Sequence, residues 1–331
     1  MSIKVEKISL ANLPTKIEKL NYTSKKFNKN IFIKRDDQTG TELGGNKIRK
    51  LEFALAEALA QGADTIITCG GTQSNHARAT AAAAAKLGLK SILILSSDEK
   101  TPIDGNYLLD MLFGAEVRFI SSYDYTNNIS LIMQDTLKEL SKNGHTGYII
   151  PTGASNGIGT FGYFDAIKEI SKQEELLGIN FDTICCTVGS GGTYAGLCLG
   201  NKMLNLDKNI VGFNISSDRE HFVSEIIEIS KEFYSYLKED NALLEEDIKV
   251  IDGNVGRGYA LSTAEELEFL NSFAKNEGIV LDPVYTGKAM KGIYSELENP
   301  KTSYLSKSNN ILFIHTGGIF GLFPKKFQFE F

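Results

Sequence analysis

Short β-rich runs alternate with longer helical patterns along this chain, and that alternation constrains its fold more than any other feature. Candidate strands are Ile31–Lys34, Thr65–Cys69, Ser91–Leu95, Glu116–Ile120, Tyr148–Ile150, Asp182–Thr187, Ile210–Asn214 and Ile311–His315. Most are Ile- or Val-rich runs bounded by Gly, Asp or Pro, as strands buried on both faces tend to be. Helical stretches lie between them at Arg49–Gln61, His76–Leu87, Ala166–Leu177, Thr193–Leu206, Glu220–Lys238, Ala264–Glu277 and Gly287–Leu297. Ala79–Ala85 is mostly alanine, the best helix former. The pattern predicts an α/β fold, and 331 residues favour two adjoining, mostly parallel sheets over one. Gly153-Ala-Ser-Asn-Gly157, with Gly159 and Gly162 soon after, is the most hinge-like stretch.

Composition removes several function classes. Lys plus Arg is 35 against 41 Asp plus Glu, a net charge of −6, and no basic cluster offers a nucleic-acid footprint. No apolar run reaches the ~18 residues of a membrane span. The opening Met1-Ser-Ile-Lys-Val-Glu-Lys7 lacks the pattern of a signal peptide. Cys69, Cys185, Cys186 and Cys198 suggest neither a disulfide framework nor a Cys-x-x-Cys zinc site. The expectation is a soluble, cytoplasmic protein with no nucleic-acid or membrane partner and no metal.

Glycine is enriched, 31 of 331 residues, against a usual ~7%, and its placement is informative. Gly44-Gly45-Asn46-Lys47 stands directly before a helical run. An ammonium there meets the positive end of the helix dipole, and Arg49 and Lys50 add like charge. Both effects disfavour the protonated amine, so Lys47 is either a surface lysine or a nucleophile for Schiff-base chemistry. Cys69-Gly-Gly-Thr-Gln-Ser-Asn-His76 joins a strand to the alanine-rich helix. Ser74 or Asn75 caps that helix, and one cap is enough. The further polar groups, Gln73 and His76 among them, are either solvated or aimed at a substrate carboxylate at the helix start.

Val188-Gly189-Ser190-Gly191-Gly192-Thr193 sits between a strand and a helix opening at Tyr194. Strand, glycine loop and helix N-terminus together cradle a phosphate on backbone N–H groups. The loop lacks the Gly-Lys-Ser/Thr of a nucleoside-triphosphate site and the third glycine of a dinucleotide site, so a single phosphate group is indicated. Gly196 suits close packing. Late in the chain, Asp282-Pro-Val-Tyr285-Thr286-Gly-Lys-Ala-Met290 starts a helix and His315-Thr316-Gly-Gly318 ends a strand. Tyr285 fits a core or a site, and Thr316 a cap or a site. Gly153-Ala-Ser155-Asn-Gly157 has the letters of a serine-hydrolase elbow, but Pro151-Thr152 separates it from the strand and glycines stand where a helix should start. Cys185 and Cys186 lie inside an apparent buried strand, which predicts inert thiols.

A nucleophilic lysine, one phosphate cradle and a carboxylate-binding helix start are what a pyridoxal 5′-phosphate (PLP) enzyme acting on an amino acid requires. The stretch from Lys34-Arg-Asp-Asp-Gln-Thr-Gly40 through Gly44-Gly-Asn-Lys-Ile-Arg-Lys-Leu-Glu52 resembles the D-cysteine desulfhydrase / 1-aminocyclopropane-1-carboxylate (ACC) deaminase family, of the tryptophan-synthase-β-like fold. So do Gln73–His76, Asp104-Gly-Asn-Tyr-Leu-Leu-Asp110, Gly189–Gly196, Asp282–Met290 and His315–Gly318, in family order over nearly the whole chain. The resemblance implies that Lys47 carries the cofactor and that Asn75 bonds the 3′-oxygen of its ring. It implies a phosphate loop at Val188, Gly189, Ser190, Gly191, Gly192 and Thr193, with Thr316 beside the ring nitrogen. It places Gln73 and Ser74 at the substrate carboxylate, Ser74 also as a proton carrier, and Tyr285 and Tyr259 facing the substrate. A smaller α/β domain, residues 51–163, would be inserted into a larger one built from 1–50 and 164–331. A homodimer is expected.

The implied reaction is β-elimination from a small D-amino acid, D-cysteine giving pyruvate, ammonia and hydrogen sulfide. The ACC deaminases carry glutamate after the tyrosine and leucine in place of the strand-end threonine. Thr286 and Thr316 stand there instead and favour the desulfhydrase branch. Gly318-Ile-Phe-Gly-Leu322 and Arg257 depart from the desulfhydrases in turn. That keeps ACC, D-serine, β-chloro-D-alanine and cysteate as alternatives. A PLP-binding module without turnover would be expected to have lost Lys47, Ser74 or Tyr285; all three are present.

Overall fold

The fold was taken from a computed structural model, which describes residues 5–299 and 303–330. Its strands are β1 (Ile17–Lys19), β2 (Asn30–Lys34), β3 (Thr65–Gly71), β4 (Lys90–Ser96), β5 (Glu116–Ile120), β6 (Gly147–Ile149), β7 (Thr183–Val188), β8 (Asn209–Asn214), β9 (Val250–Ile251) and β10 (Asn310–Ile314). They form two sheets. The larger has the order β1-β2-β10-β7-β8-β9 and the smaller β5-β4-β3-β6. Every pairing is parallel except β1 with β2, so two mostly parallel sheets are present as expected.

The helices are α1 (Asn21–Phe27), α2 (Lys47–Ala60), α3 (Asn75–Lys86), α4 (Gly105–Leu112), α5 (Ser122–Asn127), α6 (Ile129–Lys142), α7 (Gly157–Leu177), α8 (Gly192–Met203), α9 (Arg219–Tyr236), α10 (Ala264–Glu277) and α11 (Thr286–Glu298). The largest core joins α2, α3, α7, α8 and α9 to one face of the larger sheet, and α10 and α11 cover the other face. Two further clusters cover the two faces of the smaller sheet. In α3 the alanines at 77, 79, 81, 82, 83 and 84 are all buried, so the helix packs on both sides.

The expected hinge over 153–162 is helix from Gly157 onward. Helix α7 starts cleanly at Gly157, capped by the Asn156 side chain, and runs straight through Gly159 and Gly162. Its glycines serve close packing: a Cβ on Gly162 would lie 2.5 Å from the Arg49 carbonyl oxygen. Gly196 does the same on α8, where a Cβ would lie 2.6 Å from the Thr160 carbonyl. Cys185 and Cys186 are buried in β7, and burial raises both thiols.

One buried ion network fixes the start of α2. Arg49 is 2% exposed and donates to Asp36 at 2.8 and 2.9 Å and to Glu169 at 2.9 and 3.0 Å. Lys34, at the end of β2, adds a 2.6 Å bond to Glu169. Burial opposes the Asp36 charge, but Arg49 and Lys34 outweigh it and hold the carboxyl at about 2. Buried charges persist when paired and hydrogen-bonded in this way.

Candidate active site

Loops at the carboxyl ends of strands from both sheets meet, with Gly153 beside Ser190 and Lys47, where open parallel sheets place their ligands. Lys47 is the first residue of α2, and burial pushes its ammonium down to about 8. The cause differs from the one read in the sequence. The charge of Arg49 is matched by Asp36 and Glu169, and removal from water is what lowers the lysine. Only a neutral amine adds to an aldehyde. The rate of PLP uptake by apoprotein should therefore climb about tenfold per pH unit up to pH 8 and then level off. A rate still climbing beyond about pH 10, where an ordinary lysine titrates, would contradict this.

The lysine loop is tied to the glycine loop. Asn46 donates to the Thr193 hydroxyl at 2.9 Å, and its N–H bonds the Thr316 carbonyl at 3.0 Å. Lys47, the start of α8 and the end of β10 thus share one corner. Among the described residues, the N–H groups of Gly189, Ser190 and Gly191 find no acceptor in the protein. Ser190 bonds Ser155 at 2.8 Å; Ser155 accepts from the Gly192 N–H at 3.2 Å and from Lys50 at 3.0 Å. Lys50 is fully buried with no carboxylate partner among the described residues, and burial and Lys47 both lower it. A glycine loop with free donors, backed by a buried lysine with no carboxylate partner among the described residues, suits a phosphate. Gly153 shapes the same space. Its φ is +70°, and a Cβ there would stand 2.5 Å from Ser190 Oγ and 2.9 Å from Lys47 Nζ. The residues present therefore fit PLP, with the Schiff-base lysine at one end and the phosphate donors at the other.

Of the polar row at the start of α3, most groups are already engaged. Ser74 is the N-cap, accepting from the Ala77 N–H at 3.1 Å, so its own hydroxyl proton stays free. Asn75 is buried and accepts from Asn106 at 3.2 Å, which leaves its amino group free. The Gln73 side chain turns to the start of α4, donating to the Asp104 carbonyl at 3.0 Å and accepting from the Asn106 N–H at 2.9 Å. A part for Gln73 at a substrate carboxylate would fall to its main chain. His76 is structural. Thr68 gives its one hydroxyl proton to the Ile150 carbonyl and so accepts from His76 Nε2 at 2.8 Å. Burial and the nearby lysines hold this histidine neutral.

Tyr285 and Tyr259 come together across 26 residues, hydroxyl to hydroxyl. Tyr259 is 46% exposed as a residue, yet its hydroxyl end is enclosed, and burial raises both phenols. The Tyr285 ring borders Gly189, whose Cβ position lies 3.9 Å from Cε1. Thr286 does not face the cleft freely: its hydroxyl and N–H each bond the Asp282 carboxylate at 2.7 Å. The other Asp282 oxygen accepts from the N–H groups of Val284 and Tyr285. Gly318 packs directly on Asp282, so a carboxylate does lie near the end of β10, with both oxygens engaged. Thr316 is buried, and its hydroxyl bonds no other described residue. Among the described residues, no contact explains the departure of Arg257 from the family pattern.

Sequence reasoning missed Lys50 as a site group, along with Ser155 and Tyr125. Tyr125, on α5, bonds the Thr152 hydroxyl at 3.3 Å, and the same hydroxyl contacts Cys69 at 3.2 Å. These contacts span 27 and 83 residues, and no local pattern signals them.

Fold and site together define a PLP-dependent enzyme, and residues 8–317 match the family described as pyridoxal-phosphate dependent enzyme. Within it, the chain belongs to the D-cysteine desulfhydrase / ACC deaminase family. It is 44% identical to a putative ACC deaminase of Thermotoga maritima, over 96% of this chain and 98% of that one. It is 42% identical to a bifunctional D-cysteine desulfhydrase/ACC deaminase, mitochondrial, of Arabidopsis thaliana, over 96% and 79%. A crystal structure of an ACC deaminase homologue superposes with a TM-score of 0.89 at 38% identity, covering 98% of this chain and 95% of that one. The chain is thus an enzyme of PLP-dependent deaminase and desulfhydrase type. Among the described residues, no helix is long and apolar enough to cross a membrane.

Proposed function

We propose that this enzyme is a β-eliminating lyase acting on a small D-amino acid, D-cysteine first. With water, D-cysteine gives pyruvate, ammonia and hydrogen sulfide. The observation that carries the reading is Thr286, whose hydroxyl is bound to Asp282 and leaves no free acid or nucleophile after Tyr285. Opening the ring of ACC has no ready leaving group and calls for such a group. A thiolate is stable near neutral pH and departs without one.

The remaining parts follow from the residues. Bound PLP supplies the electron sink for charge left on the substrate α-carbon. Lys47 Nζ, lowered to about 8 by burial and so more readily deprotonated than an ordinary lysine, takes the α-proton as general base. The Ser74 hydroxyl and the N–H groups at the start of α3 hold the substrate carboxylate, and Ser74 can carry a proton because its own is not committed. The free N–H groups of Gly189, Ser190 and Gly191 hold the phosphate, with Val188 ending the strand behind them, Gly192 bound to Ser155, Thr193 bound by Asn46, and Lys50 acting through Ser155. Asn75 would hold the ring oxygen. Thr316 would stand beside the ring nitrogen and, being neutral, would not keep it protonated. Asp282 does not substitute for it, since both its oxygens accept from residues 284–286. A weaker electron sink suits elimination, where charge leaves at once. Tyr285 and Tyr259, bonded hydroxyl to hydroxyl, face the substrate and orient it.

We also infer the discontinuous division into 1–50 with 164–331 and 51–163, a homodimer and a cytoplasmic location. All four strands of the smaller sheet fall within residues 65–149, which supports the division. ACC deamination is the second reading, favoured by the names of the relatives above. The test is a 2-oxo acid assay with D-cysteine, D-serine, β-chloro-D-alanine, cysteate and ACC side by side. Pyruvate from D-cysteine should exceed 2-oxobutyrate from ACC by at least about 10²-fold, the scale of one missing acid–base group. Matching rates would reverse the assignment.

A further inference from the structure

We propose that Arg78, acting through Asn106, is a positioning residue that fixes which way the Asn75 amide faces, so that its amino group is offered to the cofactor. The inference rests on the reading above that Asn75 lies at the ring oxygen of PLP. Arg78 and Asn106 are 1% and 0% exposed, far from any rearranging solvent. Arg78 Nε donates to Asn106 Oδ1 at 3.2 Å. Asn106 Nδ2 donates to the Gln73 carbonyl at 3.1 Å and to Asn75 Oδ1 at 3.2 Å.

The direction of this chain is fixed by what each group is able to do. Guanidinium has donors only. Asn106 must therefore turn its oxygen to Arg78, and its two amino hydrogens go to Gln73 and Asn75. A reversed Asn106 would set two donors together at Arg78 and two acceptors together at the Gln73 carbonyl. The oxygen and nitrogen of a side-chain amide look alike, but this accounting distinguishes them. Asn75 in turn must face its oxygen to Asn106, and its amino group has no acceptor among the described residues. A donor at that point is what an anionic ring oxygen needs; an acceptor would repel it.

The same guanidinium reaches the lysine loop. It donates to the Gly44 carbonyl at 2.8 Å and to the Glu42 carbonyl, and it lies over the Phe320 ring beyond Thr316. One buried cation thus joins the segments carrying Lys47, Asn75 and Thr316. Asp110, a turn beyond Asn106 on α4, is also buried; burial raises its carboxyl to about 8 against the opposing pull of Arg78.

The experiment compares wild type, Asn75→Ala, Asn106→Asp and Arg78→Lys by PLP affinity and by the pH midpoint of the visible band of bound PLP. Asn106→Asp keeps the shape but removes the donor to Asn75, so the Asn75 amide turns its oxygen to the cofactor. A donor to the ring oxygen stabilises its anion and eases loss of the Schiff-base proton. Losing it should raise the midpoint by roughly one pH unit, in the same direction as Asn75→Ala. Arg78→Lys keeps a donor-only group and should stay near wild type, an outcome that loss of packing alone would not produce. If Asn75→Ala shifts the midpoint and Asn106→Asp does not, the relay is wrong. If Asn75→Ala itself shifts nothing, Asn75 is not at the cofactor and both ideas fall. Should Asn106→Asp not fold, the wild type still decides. Its Asn75 side-chain NH₂ signals, identified by their loss in Asn75→Ala, should move when PLP is added to apoprotein. Unmoved signals would overturn the proposal.

Discussion

Lys47→Ala should yield a folded but colourless protein with turnover lowered by at least about 10⁴-fold, the upper range for loss of one acid–base group. The lysine side chain makes no hydrogen bond to another described residue, and the Asp36–Arg49–Glu169 network holds the start of α2 without it. Stability should therefore survive the change. Truncation removes a buried amine lowered to about 8, and with it both the Schiff-base linkage and the proposed base. Lys50, one turn on, does not replace it, because its Nζ is bound to Ser155 behind the phosphate loop. The checks are the visible absorbance after PLP addition and release of pyruvate. A variant that keeps its visible band and its turnover would show that another amine carries the cofactor.

Gly191→Asp should weaken PLP binding by roughly 5- to 150-fold, the ~1–3 kcal/mol of lost charge-assisted hydrogen bonds. Two effects add. Gly191 has φ +78°, and a Cβ there would lie 3.1 Å from Ile229 Cδ1 and 3.3 Å from Ile226 Cγ1. Left-handed backbone costs a non-glycine residue about 1–2 kcal/mol. The carboxylate also brings like charge to the phosphate. Gly191→Ala separates the two, keeping the strain without the charge, and should fall between wild type and Gly191→Asp. Dialysis followed by PLP titration measures it. Equal retention by all three proteins would place the phosphate elsewhere.

Much of the fold was legible because its strands are apolar runs between glycines. Glu116–Ile120 and Ala264–Glu277 match at both ends. The short strands Ile17–Lys19 and Val250–Ile251 carry too few residues for a pattern, and tertiary pairing alone makes them strands. The helices Asn21–Phe27, Gly105–Leu112, Ser122–Asn127 and Ile129–Lys142 were also missed. The first of these has no apolar periodicity, and Gly105–Leu112 opens on a glycine. The first turns of α7 were hidden by three glycines that local propensity counts against a helix. There the close approach of Arg49 and Lys50 backbone overrides propensity.

At the site, the glycine loop and Lys47 could be read from order along the chain, since strand, loop and helix are consecutive. Lys50, Ser155, Asn106 and Arg78 could not. The Lys50–Ser155 bond spans 105 residues and the Arg78–Asn106 bond 28. The sequence also credited Arg49 with lowering Lys47, and only the fold reveals the two carboxylates that match its charge.

The central claim is a lyase whose base stands on one face of the substrate. One enantiomer places its α-proton toward Lys47 and Ser74, and the other points it away. The most direct measurement is kcat/KM for D-cysteine and L-cysteine on the purified PLP-loaded protein, with pyruvate and sulfide followed together. We expect equal amounts of the two products from D-cysteine and a preference over L-cysteine of at least about 10²-fold, the scale of an acid–base group left out of reach. Preference for L-cysteine, or pyruvate formed without sulfide, would contradict the account.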